Sequence, residues 1–172
     1  MKLRLLNFFS IGAAAALLAG CAGYNLGPVN GANAGEKSIE VFPFNNQTLE
    51  PRLGDSVTQA LRERLQADAT YRLATHGDGD VIVTGVITRY GREGLSYLNT
   101  DVATPENYRV QITAHVIVRD GSTGKVLLDK DVSGYTLVQI GMDLASADRQ
   151  SQPLLAEDLA RNVAELITEG AW

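Results

Sequence analysis

The stretch 108–120 constrains this chain more than any other. Val110, Ile112, Ala114, Val116 and Val118 alternate there with Arg109, Gln111, Thr113 and His115. A strict two-residue period fits a strand with one buried face and one wet face. Asp120-Gly121-Ser122-Thr123-Gly124 follows as a turn signal, and 126–138 reads as the antiparallel partner. A hairpin with one apolar face has to bury it against another layer, and two segments carry the pattern to supply one. Leu53, Val57, Ala60, Leu61 and Leu65 recur at helical spacing behind Pro51, which suits a first turn, with Arg62, Glu63 and Gln66 on the opposite, solvated face. Near the end of the chain, Leu155, Leu159, Val163, Leu166 and Ile167 form one stripe of a final helix.

Two further strands precede the hairpin. Residues 38–44 set Ile39 and Val41 against Glu40, and Pro43 ends that run near a sheet edge. In 81–90 apolar residues fall on both parities (Val81, Val83 and Ile87, but also Ile82 and Val86), which suits a central strand covered on both faces. Residues 76–80 read as a turn, 91–107 as a long loop and 141–152 as irregular. The order β-α-β-β-β-α predicts an α+β fold: a two-layer sandwich, its four-stranded sheet carrying two helices on one face. The expected core is Leu61, Leu65, Val83, Ile87, Val110, Ile112, Leu159 and Val163.

The first twenty residues belong to another category. Basic Lys2 and Arg4, an apolar run from Leu5 to Leu18 and the small residues before Cys21 have the layout of a secretory signal. The run is shorter than the ~20 residues a membrane span needs, and Asn7 and Ser10 interrupt it. Leu18-Ala19-Gly20-Cys21 resembles the cleavage motif of bacterial lipoproteins, which implies lipid on the Cys21 thiol and removal of 1–20. Residues 21–37, small and polar with Pro28, read as the lipidated cysteine and a flexible tether, and 38–172 as a single α+β domain. Each buried methylene adds about 0.8 kcal/mol, so several acyl chains on one residue anchor the chain nearly permanently. Ala22 stands where an aspartate would favour retention at the inner membrane, so the resemblance points to the outer membrane.

The chain carries a formal net charge of −5, and Lys2 and Arg4 leave with a signal that has no acidic residue. A domain this acidic is a poor match for nucleic acid, and an anionic ligand would need a local basic patch. None of the nucleophile, redox, zinc-protease or phosphate-loop motifs is present, which argues against an enzyme and a cofactor. Cys21, the single cysteine, is committed to lipid. His76, Asp78 and Asp80 offer too few oxygen ligands for a calcium loop, so no metal site is expected, and His115 falls on the polar parity of its strand. The basic patch with the best placement is Arg89, Arg92 and Arg109, which converge if 81–90 and 108–120 are antiparallel neighbours. Glu93, Asp101 and Glu106 are the carboxylates that would neutralise it.

Several segments in order carry a family resemblance: Gly23-Tyr24-Asn25-Leu26-Gly27, Ser38-Ile39-Glu40-Val41-Phe42-Pro43-Phe44, and Asn46-Gln47-Thr48-Leu49-Glu50-Pro51. They continue with 80–90, 108–120 and Thr123-Gly124-Lys125-Val126-Leu127. Together they resemble the LptE family, outer-membrane lipoproteins of lipopolysaccharide assembly. Ala22 departs from it by separating the cysteine from the Gly-Tyr pair. The resemblance implies a non-catalytic plug in the lumen of a large outer-membrane β-barrel, assisting its assembly and the insertion of lipopolysaccharide into the outer leaflet. Its implied partners are that barrel, lipopolysaccharide and the membrane through the lipid anchor. Where the family carries basic ligand-contacting residues, this chain has Tyr97-Leu98-Asn99 and Met142-Asp143-Leu144, so those roles do not carry over. Shared pieces also resemble curli-secretion pore subunits, an alternative in which the chain forms an oligomeric periplasmic scaffold or channel; the long pore-forming hairpins of such subunits are not expected here.

Mass spectrometry of the mature protein is expected to find acyl groups on residue 21, and Cys21→Ser to leave a folded domain free in the periplasm. An unmodified thiol at that position in the native host would refute the lipid assignment.

Overall fold

The computed structural model describes residues 35–75, 77–98, 101–139 and 144–170, so Cys21, the signal, the tether through residue 34 and His76 lie outside the described residues. In chain order it contains β1 (Ser38–Val41), β2 (Asn45–Asn46), α1 (Leu53–Asp68), β3 (Arg72–Leu73), β4 (Val81–Leu98), β5 (Asp101–Asp120), β6 (Val126–Gln139) and α2 (Leu144–Glu169). The sheet runs β3-β1-β4-β5-β6, with β2 also paired to β4. Pairing is parallel among β3, β1, β4 and β2, and antiparallel from β4 through β5 to β6.

The α+β class holds, and the four expected strands are β1, β4, β5 and β6. The sheet has six strands rather than four. β2 and β3 are two residues long, too short to leave any periodic trace, and they exist because the chain passes beside partners already in place. Ser38 aligns with Arg72 and Asn45 with Val86. β3 puts β1 inside the sheet instead of at its edge, and Pro43 falls in the break between β1 and β2.

The larger correction lies at 91–107. Most of that stretch is strand, because β4 and β5 continue pairing up to Leu98 opposite Asp101. Gly91 pairs in register with Gln111 inside this ladder, and the stretch that includes Pro105 is accommodated by register shifts beyond Gly94. The chain therefore does have a long hairpin.

One apolar cluster joins the sheet to both helices, and all eight expected core residues belong to it. β5 buries Val110, Ile112, Ala114, Val116 and Val118 at 0–1% exposure, as the alternation required. β4 is central but not covered on both faces: Val81, Val83 and Ile87 meet the helices, while Ile82 and Val86 are half-buried on the opposite, open face. Two glycines permit this packing. The Phe44 ring lies over Gly85, where an added Cβ would come within 2.1 Å of it. Gly134 lets the backbone of α2 settle onto β6, and an added Cβ would stand 2.5 Å from the Leu159 nitrogen.

α1 begins two residues after Pro51. Arg52 has φ 64 and serves as N-cap, so the turn at Arg52 separates the proline from the helix, and the Ser56 N–H donates to the Arg52 carbonyl. Arg62 is half-buried, not solvated, because its Nη2 donates to the Val41 carbonyl at 2.6 Å. α2 starts earlier than the sequence suggested and carries Pro153 inside it. A proline disfavours helical geometry in the residue before it, yet the helix runs through Pro153 and includes Leu144–Gln152. The buried Ser151 and the packed Ala147 hold that part against the body.

β6 is an edge strand, and α2 covers the middle of that edge. Asp158 Oδ2 accepts the Tyr135 N–H at 2.9 Å, and Asn162 Nδ2 donates to the Ser133 carbonyl at 2.8 Å. Side chains thereby occupy the backbone groups that invite another strand.

Two aspartates fasten the end of the sheet where the described chain begins. Asp80 accepts from the Ser38 N–H at 2.8 Å and the Ser38 hydroxyl at 2.7 Å, tying β4 to β1. Those bonds, the backbone one foremost, hold its carboxyl below the ordinary 3.8. In the β5–β6 turn, the Ser122 hydroxyl and then the Thr123 N–H and hydroxyl hold Asp120 far below that value. Gly124 takes φ 71 there, as the turn signal anticipated.

Two outcomes follow. Leu61 is fully buried, and Leu61→Ala is expected to cost about 2–5 kcal/mol in a urea titration. For Asp80 and Asp120 the folded carboxyls are the stronger acids, so the unfolded chain binds protons first as pH falls. Their contribution is complete above the unfolded pKa near 3.8 and is lost progressively as pH drops through the lower folded values. The urea midpoint is expected to fall below about pH 4, and less steeply in Asp120→Asn, whose side-chain carbonyl still accepts in the turn.

Candidate functional site

The three arginines divide between the two faces of the sheet. β4 and β5 are antiparallel neighbours, as the patch required, and a bulge separates Ile87 from Arg89 in the register. Beyond it Tyr90 pairs with buried Ile112 and Arg92 with buried Val110, which puts Arg92 on the helix face. Arg89 pairs with Thr113 and Glu93 with Arg109, on the open face with Gln111 and Gly91. Three residues is an odd step on a strand, and odd steps cross the sheet.

Arg92 has a partner that the sequence did not reveal. Its Nη2 lies 3.3 Å from Glu50 Oε1, and its guanidinium sits 5.4 Å from the Tyr90 ring centre. Glu50 also accepts from Gln152 Nε2 of α2 at 3.4 Å. Glu50 is 42 residues from Arg92 in sequence, and no local pattern joins them. The side chains of Asp101 and Glu106 lie outside what the structure describes.

Arg89 and Arg109 remain on the open face as a diagonal pair across Gly91 and Gln111. A cleft of about 170 Å³ opens between them, lined by Arg89, Gly91, Arg92, Glu93, Arg109 and Gln111. Gly91 is its floor: a Cβ there would touch nothing within 4 Å. The Arg109 guanidinium stacks 5.1 Å from the Tyr135 ring on β6, and Tyr135 and Leu137 are 52% and 63% exposed. Among the described residues neither Arg89 nor Arg109 has an ion-pair partner, although Glu93 stands opposite Arg109. The site is a shallow cationic notch with an aromatic and an aliphatic side chain beside it. It suits an anionic group on an amphipathic molecule. Tyr135 could have been found from its parity in β6, since it aligns with Gln111.

His115 faces outward as its parity indicated. Its Nδ1 lies 2.8 Å from Asp131 and its Nε2 3.2 Å from Asp129, so both ring nitrogens are engaged. Asp80 is turned to Ser38 and not to a cation. Among the described residues no group of three or more His, Cys, Asp or Glu side chains is arranged to hold a metal, and no helix is long and apolar enough to cross a membrane.

The family model described as LptE, lipopolysaccharide-assembly, matches residues 36–169. The chain belongs to the LptE family. No curated protein matches it significantly. Solved structures share its fold at low identity. A Xanthomonas campestris protein is 8% identical with a TM-score of 0.59, covering 84% of this chain and 94% of its own. A hypothetical protein of Chlamydia trachomatis is 9% identical with a TM-score of 0.57, covering 78% and 96%. A minor lipoprotein of Acinetobacter baumannii is 13% identical with a TM-score of 0.52, covering 77% and 93%. Such identities establish the α+β architecture of this LptE-family chain and nothing about its ligands.

Proposed function

We propose that this LptE-family chain is an outer-membrane lipoprotein, anchored through Cys21, that works without catalysis beside a large β-barrel. Its α+β domain occupies the barrel lumen, supports the barrel's assembly and assists the passage of lipopolysaccharide into the outer leaflet. The observation that carries this reading is the family match over 36–169. The notch on the open face adds a contact: Arg89 and Arg109 meet phosphate groups of the glycolipid, and Tyr135 and Leu137 take its apolar surface. A guanidinium donates two parallel hydrogen bonds to a phosphate, and the open space over Gly91 gives the group room to sit between them. Arg92, held by Glu50, belongs to the rim.

The oligomeric-channel alternative gains one point from the structure, since the β4–β5 hairpin is long after all. Hairpin length therefore does not separate the two readings, and purification does. Recovery from native membranes with one large barrel per copy supports the plug. A homo-oligomeric ring with no barrel overturns it.

Two exposed charge pairs contribute on the order of 0.2–1 kcal/mol each, so the pair Arg89→Ala and Arg109→Ala is expected to weaken binding of purified lipopolysaccharide about two- to thirtyfold at low salt. Gly91→Val fills the floor without a clash and is expected to do the same with the melting temperature unchanged. Parental binding in both variants would remove the notch from the mechanism and leave only barrel contact.

A further inference from the structure

Glu50 stands where an anionic ligand of Arg92 would stand. It lies between β2 and α1, and its two carboxylate oxygens serve two elements: Oε1 is 3.3 Å from Arg92 of β4, and Oε2 is 3.4 Å from Gln152 of α2. Its side chain is 25% exposed and that of Arg92 33%, so water reaches the pair. Glu50 and Arg92 line a cleft of about 510 Å³ with Leu49, Tyr90 and Arg89. Arg89, Gly91 and Arg92 line both this cleft and the notch, so the two flank the same stretch of β4. An anion entering the larger cleft meets an arginine whose charge is already matched by a carboxylate of the same chain.

The other end of this contact falls at a weak point. Gln152 immediately precedes Pro153, which has no N–H to offer the Arg149 carbonyl one turn back, so α2 lacks a rung there. Residues 144–152 are joined to the rest of the helix by fewer backbone bonds than an uninterrupted helix would have. Against the body they are held by Gln152 on Glu50, by Ala147 on the core and by buried Ser151.

We propose that Glu50 is an internal counter-anion: a phosphate group entering the cleft takes its place on Arg92, and the displaced carboxylate releases Gln152 and loosens residues 144–152 about Pro153. This rests on the reading of the arginine notch as a phosphate site and adds its regulation, because occupancy on β4 then sets the order of a helix segment on another element. The coupling is reciprocal: whatever detaches 144–152 also favours the ligand. A partly exposed ion pair contributes under about 1 kcal/mol, so the competition amounts to about two- to fivefold in affinity.

The test uses the full-length lipidated protein in detergent, with hydrogen exchange read over 144–152 against 154–169. The two probes are inorganic pyrophosphate and purified lipopolysaccharide. Glu50→Ala is expected to speed exchange in 144–152 without any probe, and both Glu50→Ala and Glu50→Gln to tighten pyrophosphate binding two- to fivefold at low ionic strength. Gln152→Ala is expected to speed exchange in the same segment with the Arg92–Glu50 pair left in place. In the parent, a probe that binds should speed exchange in 144–152 and leave 154–169 unchanged. A response to both probes assigns the site to phosphate in general, and a response to lipopolysaccharide alone assigns it to the lipid headgroup; either supports the exchange. The proposal is overturned if Glu50→Ala leaves exchange and affinity at parental values, or if bound probe leaves 144–152 unchanged. Failure of the notch itself shows separately, as parental binding in the Arg89 and Arg109 variants.

Discussion

The whole arrangement depends on β4. It pairs with β1 and β2 on one side and β5 on the other, and the parallel and antiparallel halves of the sheet meet on it. Its start is fixed by Asp80 on Ser38, and its middle by Phe44 seated over Gly85. With those two points set, the strand can run on beyond its β1 and β2 neighbours and carry β5 with it. The register shift near Thr88 then decides which side chains reach the helices and which face outward, and so builds the cationic notch from Arg89 and Arg109 while turning Arg92 toward Glu50.

Regular structure was legible wherever burial imposed a period. β5 alternates because one of its faces is dry, and the stripes of α1 and α2 recur because helices pack by one side. The same logic failed where contact comes from position alone. β2 and β3 exist because the chain happens to pass a strand with groups to offer, and two residues show no period. β4 misled in a more instructive way. Apolar residues on both parities suggested cover on both faces, whereas Ile82 and Val86 are half-buried on the open side.

For the site, the sequence placed the arginines on neighbouring strands and misjudged which face each one takes. Treating 91–107 as a loop removed the parity rule that would have separated Arg92 from Arg89. A strand sends residues three apart toward opposite faces. Glu50 was out of reach of any reading by spacing, because the contact is made through the tertiary fold across 42 positions. The expectation of lipid on Cys21 rests on the opposite kind of signal, one read along the extended chain and dependent on no fold at all.

The described chain begins beside Thr70, where the Gly35 N–H meets the Thr70 carbonyl, at the end of the sheet that holds Ser38 and Asp80. From that end β4 climbs roughly 30 Å to Gly91, at about 3.3 Å per residue, and a bilayer's hydrocarbon core is about as thick. The strand is in effect a ruler. On the proposed reading, a domain rooted at the inner leaflet and standing upright in a barrel would lift its arginines to the height of the opposite headgroups, with no need to move.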